Sequence, residues 1–206
     1  MNKAWEIKTI EEVCDILDNL RKPVTKSNRK TGDFPYYGAT GIVDYVSEYL
    51  FNERLVLVGE DGAKWNSGDR TAFIADGKFW VNNHAHVLRP LPQVILHEWI
   101  EYYFWITDLQ EFISGVTVPK LNQAKLRSIT IPVPSLDEQK RIVGVLDEKF
   151  AAIEKLTKIT EQQIVDAKEL FESRLNEVFA SEKFENLSLE YICTITSSKR
   201  VAHTTC

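Results

Sequence analysis

The sequence predicts an α+β protein: a mixed α/β domain over residues 1–135, followed by one long α-helix over residues 136–181. Three observations predict it. Short β-rich runs broken by turn residues fill the first part of the chain, with helical patterns among them. Two prolines, Pro132 and Pro134, are followed at once by a helix-start signature. From there to Ser181 no proline occurs, and the only glycine is Gly144.

In chain order, Thr9-Ile10-Glu11-Glu12 has the form of a capping box. The threonine oxygen takes an orphan backbone N–H and the glutamate reaches back to the threonine N–H, so a short helix is expected from there to about Leu20. Strands are expected at 44–46, 55–58, 71–75, 79–81 and 85–88, runs rich in β-branched and aromatic residues. Asp76-Gly77, between two of them, reads as a type I′ hairpin turn, whose central residues need positive φ. Pro92 is expected to open a second helix that reaches about Ser114 and stops at Gly115. Ile95, Leu96, Trp99, Ile100, Tyr103 and Phe104 keep helical spacing and mark its core face. A last strand, Ile129 to Ile131, precedes the prolines.

Ser135-Leu136-Asp137-Glu138 is a second capping box. The helix it opens carries Ile142, Leu146, Phe150, Ile153, Leu156, Thr160, Ile164, Ala167, Phe171, Leu175 and Val178 on one broad stripe. The stripe drifts between a 3.5- and a 3.6-residue period and includes threonine and alanine, so it is not a pure leucine-zipper seam. About 46 residues at a rise of 1.5 Å make a rod of roughly 69 Å. A preceding domain of this size cannot cover it along its length. A partner helix is required, from another chain or from a further part of the same protein.

Residues 182–206 echo the beginning of the chain. Trp5 to Ile16 and Phe184 to Ile195 align with an offset of 179. Glu6/Glu185, Glu11/Glu190, Cys14/Cys193 and Ile16/Ile195 are then identical, and Trp5/Phe184, Thr9/Ser188, Ile10/Leu189 and Val13/Ile192 are conservative pairs. Each copy precedes a basic stretch, Arg21-Lys22 and Lys199-Arg200. The chain reads as one full repeat plus the truncated start of a second.

With 206 residues, 44% hydrophobic and 27% charged, the chain has the composition of a globular protein and not of a disordered one. No apolar run approaches the roughly 18 residues of a membrane span, and Met1 to Glu6 lacks the apolar core of a signal peptide. A cytoplasmic protein with no membrane partner is expected. Cys14, Cys193 and Cys206 are odd in number and far apart, which excludes a disulfide framework and a CxxC site. The formal charge of −5 argues against a free-standing nucleic-acid binder. Yet the charge is segregated. Arg21, Lys22, Lys26, Arg29 and Lys30 have no acid between Asp18 and Asp33, and residues 112–136 hold Lys120, Lys125 and Arg127 with no acid at all.

Catalytic patterns are absent from the sequence. There is no G-x-x-x-x-G-K-[ST] loop, and Gly59-Glu60-Asp61-Gly62 would repel a phosphate. No N-P-P-Y or D-P-P-Y run of an adenine methyltransferase occurs. His84 and His86 share a strand face with no third ligand of suitable spacing, so no metal is expected. His97-Glu98 lacks the second histidine of a zinc-protease helix, and Glu60 and Asp61 lack the partners of a nuclease centre.

Two stretches carry a resemblance. One runs Gly115-Val116-Thr117-Val118-Pro119-Lys120-Leu121-Asn122, then from Leu126 through Ile129-Thr130-Ile131-Pro132-Val133-Pro134 to Leu136-Asp137-Glu138-Gln139 and Ile142. The other comprises Tyr36 to Ile42 and Leu57 to Ala63. Together they resemble the specificity subunit of Type I restriction–modification systems, where a glycine-threonine turn, a short helix and an "I-x-I-P-x-P" strand precede "L-x-E-Q" at the start of a long helix. The resemblance implies a target recognition domain over residues 1–135, a spacer and dimerisation helix over 136–181, and a second repeat that starts at 182. It implies a non-catalytic protein that reads one half of a bipartite double-stranded DNA target and docks methyltransferase and restriction subunits. S-adenosylmethionine, Mg²⁺ and ATP would belong to those partners, leaving this chain without cofactors. In full-length members two helices of one chain pack antiparallel. With one helix here, a homodimer is expected, paired as an antiparallel coiled coil through residues 138–181, with Leu146, Phe150, Ile153, Leu156, Ile164 and Phe171 in the seam.

Candidate DNA-binding residues lie in polar segments. Arg29 and Lys30 come from the basic stretch, and Tyr37 and Thr40 flank a glycine turn. Lys64, Trp65, Asn66 and Arg70 occupy a glycine-rich loop in which Trp65 has no obvious apolar neighbours. Asn82, Asn83, His84 and His86 cluster at a strand start, and Thr117, Lys120 and Asn122 complete the set. Asparagine and arginine can pair bidentately with adenine and guanine respectively. A rival of another class, a coiled-coil or antitoxin-like partner protein without DNA binding, draws on the long helix and the negative charge.

Overall fold

The computed structural model describes residues 5–180 together with Leu187 and Ser188. The echo over residues 184–195 therefore lies outside the described residues, save those two. The chain divides into two compact units, residues 1–149 and residues 150–206.

In the first unit, β1 (Glu6–Thr9) leads into a single helical turn, α1 (Ile10–Val13), and then β2 (Cys14–Ile16). The capping box forms: the Thr9 backbone N–H and hydroxyl both donate to the Glu12 carboxylate, at 2.7 and 2.9 Å. The helix nevertheless ends after four residues, well short of the expected Leu20. Cys14 to Ile16 are drawn into antiparallel pairing with Leu88 to Pro90, and that ladder outweighs continuing the helix.

Two four-stranded sheets follow. One has the order β2-β9-β6-β7, with β6 (Leu55–Gly59), β7 (Ala72–Ala75) and β9 (Ala85–Pro90). The other has the order β4-β3-β8-β5, with β3 (Phe34–Gly38), β4 (Gly41–Val46), β5 (Phe51–Asn52) and β8 (Lys78–Val81). The strands β3 and β8 run parallel and the other pairs antiparallel. Strand β6 is buried on both faces, which explains its unbroken apolar run. Val56 and Val58 enter a core with Ile100, Phe104 and Leu126, while Leu55 and Leu57 enter a second with Phe51, Phe79 and Val87.

Asp76-Gly77 is a turn, but not a hairpin. Gly77 has φ +78°, no non-glycine residue among those described has positive φ, and the flanking strands β7 and β8 belong to different sheets. The second helix, α2 (His97–Ile106), is shorter than expected at both ends. Residues 92–94 form a turn first, and Leu96 is still extended. Beyond Ile106, Thr107 is extended and the Asp108 carboxylate accepts the Gln110 N–H at 2.9 Å, which starts a separate 3₁₀ turn. Its core face is as expected, with Trp99, Ile100 and Phe104 buried.

The chain then forms a small hairpin, β10 (Ile113–Ser114) with β11 (Lys120–Leu121), and α3 (Gln123–Ser128), before β12 (Thr130–Val133) pairs with β1. Helix α4 (Leu136–Phe179) starts under Ser135, whose hydroxyl accepts the Glu138 N–H at 3.4 Å. The Glu138 carboxylate turns instead to Arg141, at 2.8 Å through both oxygens. Gln139 anchors this start. It is fully buried, accepts the Leu96 N–H and donates to the carbonyls of Val94 and Pro134, each at 2.9 Å. Leu146 is half-buried, whereas Phe150, Ile153, Leu156, Ile164 and Phe171 are exposed. No helix among the described residues is long and apolar enough to cross a membrane.

Candidate nucleic-acid interface

Four connections gather at one end of the two sheets: the β3–β4 turn at Ala39-Thr40, the β6–β7 loop over 60–71, the β8–β9 turn over 82–84, and the β10–β11 hairpin. Main-chain bonds hold them together. The Asn82 N–H reaches the Tyr37 carbonyl at 3.1 Å, the Glu60 N–H the His84 carbonyl at 2.9 Å, and the Leu121 N–H the Glu60 carbonyl at 2.8 Å. Gly59 permits this approach, because a Cβ there would lie 2.4 Å from the Ala63 Cβ and 2.9 Å from the Ala39 carbonyl oxygen. The hairpin turns at Gly115 (φ +93°), which leaves Val116, Thr117 and Val118 exposed at its tip.

Beneath these loops lies a buried polar network. The fully buried His86 ring has Nδ1 2.6 Å from the Asp18 carboxylate and Nε2 2.7 Å from the Leu121 carbonyl. Asp18 also accepts the Val87 N–H and the Gln123 amide, each at 2.9 Å. Burial alone would raise the Asp18 carboxyl, but the His86 bond and charge, the Val87 N–H and the Arg21 guanidinium together hold it below the ordinary carboxylate value. Arg21 bonds Glu60 and the Ala85 carbonyl, and Lys120 reaches the same Glu60 carboxylate at 2.7 Å. Asp18, Glu60 and His86 bring one donor atom each within 4.8 Å. Those donors bond protein partners, and Arg21 and Lys120 bring positive charge to the same carboxylates, which makes the cluster an internal ion network.

The candidate reading residues separate into three groups. Thr40, Lys64, Asn83, His84 and Thr117 are exposed at the convergent tips, His84 with its ring against the Asp61 carboxylate. Asn66, Arg70, Asn82, Lys120 and Asn122 sit at the same end but are engaged locally. Asn66 bonds Asp69, Arg70 lies 4.7 Å over the Trp105 ring, and Asn82 is buried and accepts the His84 N–H. Asn122 caps α3 by accepting the Lys125 N–H at 3.0 Å, and Lys120 pairs with Glu60. Tyr37 and Trp65 are packing residues. Tyr37 stacks on Phe73 and meets Phe79 edge-on, and burial pushes its phenol up. Trp65, which lacks apolar neighbours in sequence, is a core residue in the structure: the 65–109 backbone bond closes the loop over α2.

The basic stretch runs beside the β8–β9 turn, where the Lys22 N–H meets the Val81 carbonyl at 3.3 Å. Arg29 is spent internally on the Val24 carbonyl, Asp44 and the Tyr36 ring, whereas Lys30 is exposed. The sequence does not point to Asp18 and Gln123, and His86, grouped there with the reading residues, is instead fully buried beneath them. A signal existed for His86: it stands between Ala85 and Val87-Leu88 in the apolar part of its strand.

Residues 2–164 match the model of the family described as the Type I restriction modification DNA specificity domain. The chain belongs to that family. Over 142 residues it is 39% identical to the candidate type I restriction enzyme specificity subunit S.HindORF215P of Haemophilus influenzae, covering 69% of this chain and 36% of that protein. It is 26% identical over 127 residues to the Type I restriction enzyme EcoprrI specificity subunit of Escherichia coli, covering 62% of this chain and 30% of that one. The fold is shared with solved specificity subunits. That of M. genitalium superposes with a TM-score of 0.60 at 17% identity, covering 77% of this chain and 42% of that one. A chain solved in work on complex assembly and conformational transition of the type I restriction–modification system gives 0.69 at 20%, covering 87% and 46%. The chain thus spans less than half the length of these specificity-domain relatives.

Proposed function

We propose that this chain is a non-catalytic DNA specificity component of a Type I restriction–modification system, acting in the cytoplasm. Its first unit reads one half of a bipartite double-stranded target with the convergent loop end. Helix α4 is the spacer and the docking surface for methyltransferase and restriction subunits. Two copies pair antiparallel through residues 138–181, so that two identical recognition domains read a two-fold symmetric, interrupted site.

The observation that carries the reading is the convergence, in a chain of this family, of four polar loops at the end of a rigid two-sheet core. Sequence readers hold adaptable polar side chains on stiff elements, because base-edge hydrogen bonds need fixed geometry. Support for pairing comes from α4, where Phe150, Ile153, Leu156, Ile164 and Phe171 are all exposed in the single chain. The protein's acidity and the internal neutralisation of Arg29 and Lys120 fit a component whose partners supply most phosphate contacts.

A genome-wide map of methylated adenines, in cells expressing the chain with a cognate methyltransferase subunit, tests the reading. A split palindromic motif that depends on the chain is the expected result. A split asymmetric motif would replace the homodimer by a second, different recognition domain. No chain-dependent motif would overturn the specificity role and leave a protein-binding module.

A further inference from the structure

We propose that His86 is a positioning residue for the DNA-reading end: it fastens the β10–β11 hairpin and the α3 cap to the β6–β9 sheet, and does so only while both ring nitrogens carry a proton. This inference rests on the specificity reading above and deepens it.

The argument begins with acceptors. Nδ1 faces a carboxylate and Nε2 faces a main-chain carbonyl, and neither oxygen has a hydrogen to give. A neutral imidazole has one N–H, so it can satisfy one of these contacts and must turn a lone pair toward the other. The observed geometry is complete only in the doubly protonated ring. Its charge is balanced within the site. Asp18 lies at 2.6 Å and the Glu60 carboxylate at 3.8 Å, with Arg21 paired to both acids and Lys120 to Glu60. Asp61 and His84 form the neighbouring pair on the loop and turn above. When the ring loses a proton, the carboxylate keeps its hydrogen bond because it is the stronger acceptor. The contact given up is the one to Leu121.

Leu121 is the base of the hairpin. Its neighbours on either side are Lys120 and Asn122, and the exposed Thr117 lies at the tip beyond. Releasing its carbonyl leaves a buried acceptor unpaired, which loosens the part of the interface that carries three of the candidate reading residues. The sign is set by the same geometry: the tether is present while both ring nitrogens carry protons and is lost when rising pH removes one.

The test uses the full chain with its own residues, and a His84→Asn variant serves only to assign which ring signals belong to His86. Ring ¹⁵N spectra and amide exchange are followed from about pH 5 to about pH 9, which brackets ordinary histidine titration. Both ring nitrogens should be protonated at the acid end. As one proton leaves, exchange corrected for intrinsic rate should rise about tenfold at residues 113–122, the loss of one charge-assisted hydrogen bond, while β3, β4 and β8 stay protected. Affinity for the duplex identified by methylation mapping, measured with the methyltransferase subunit present, should fall in step. His86→Gln should flatten the pH profile. A ring with one proton throughout, or exchange at 113–122 that ignores pH, would overturn the tether without needing any variant to fold. A hairpin that loosens while affinity holds would overturn the positioning role and leave DNA reading intact. No DNA binding at any pH, with the tether present, would overturn the specificity reading itself and this role with it.

Discussion

Residues 5–149 and residues 150–179 treat apolar surface in opposite ways. In the first region Ile10, Leu57, Phe104 and Leu126 are completely buried, and no buried side-chain nitrogen or oxygen among the described residues lacks a hydrogen-bond partner. In the second every residue is exposed, although Phe150, Ile153, Leu156, Ile164 and Phe171 recur at helical spacing. A helix gains most of its stability in proteins from packing an apolar face. The first region therefore contains its own reason to fold, and the second presents an apolar stripe that the described residues leave exposed. The contrast matches the division of labour in the proposed function: a self-sufficient reader and an assembly element.

The sharpest way to break the contrast is to make the helix face polar. Ile153→Asp combined with Ile164→Asp removes two apolar side chains per copy, four per dimer. At about 1.5–3 kcal/mol each, this amounts to at least about 6 kcal/mol of association. Sedimentation should then show monomers, and far-ultraviolet circular dichroism should show lost helix, while tertiary signals of the first region stay unchanged. A dimer that persists would place the pairing surface elsewhere.

The converse change strikes the self-sufficient region. Gln139→Leu leaves the Leu96 N–H and the carbonyls of Val94 and Pro134 without their partner. Stranding buried polar groups of this kind should cost about 3 kcal/mol, read as a lower urea midpoint for the first region with helix pairing retained. An unchanged midpoint would mean that the anchor is dispensable. Gly59→Val should cost somewhat less, about 1–3 kcal/mol for overpacking. It should spread the loops away from one another and abolish the chain-dependent methylation motif before it unfolds the protein. A variant that keeps its motif would show that the loop convergence does not set reading.

What was legible in the sequence follows from how local each signal is. The strands expected over 55–58, 71–75 and 85–88 and the start of α4 rest on runs and caps a few residues long, and they stand within two residues of where the sequence places them. Capping signals mark where a helix starts but not how far it continues. Hence α1 stops after one turn when β2 is captured by β9, and α2 stops at Thr107-Asp108, whose turn chemistry was overlooked. Asp76-Gly77 is a turn as read, yet turn chemistry does not say which strands pair across it. The loop tips were legible because exposed polar and glycine-rich segments declare themselves. The network that supports them was not, because its bonds join Asp18 to His86 across 68 positions and to Gln123 across 105. Trp65 misled for the same reason: its apolar neighbours come from α2 and the segment that follows it, distant in sequence.

Charge offers a gentler probe of the reader. Lys30 is exposed and has no ion pair among the described residues, whereas Lys120 is held by Glu60. Lys30→Ala should flatten the salt dependence of DNA binding by about one contact's worth, close to 0.9 in slope. Lys120→Ala should weaken binding irrespective of sequence if its ammonium exchanges Glu60 for phosphate, and an unaltered salt slope would show that it stays with the carboxylate. The smallest effect is expected at Glu101 on α2. Burial, reinforced by the nearby Glu98 charge, pushes its carboxyl up to about 7, against a bond from the Ile74 backbone and the charges of Arg70 and Arg54. A carboxyl whose pKa is raised by folding binds a proton more tightly in the folded state, so stability declines as pH rises from its ordinary value of 4.5 to about 7. Above that window the carboxylate is ionised in both states and its full cost is present. Glu101→Gln keeps the oxygen that meets Ile74 and removes the charge. Its thermal midpoint should exceed the wild-type value at about pH 8 and converge with it near pH 4, below both states' titration. Equal midpoints at the higher pH would mean that Arg54 and Arg70 already neutralise the site, and that this half-buried carboxylate is no weak point of the first unit.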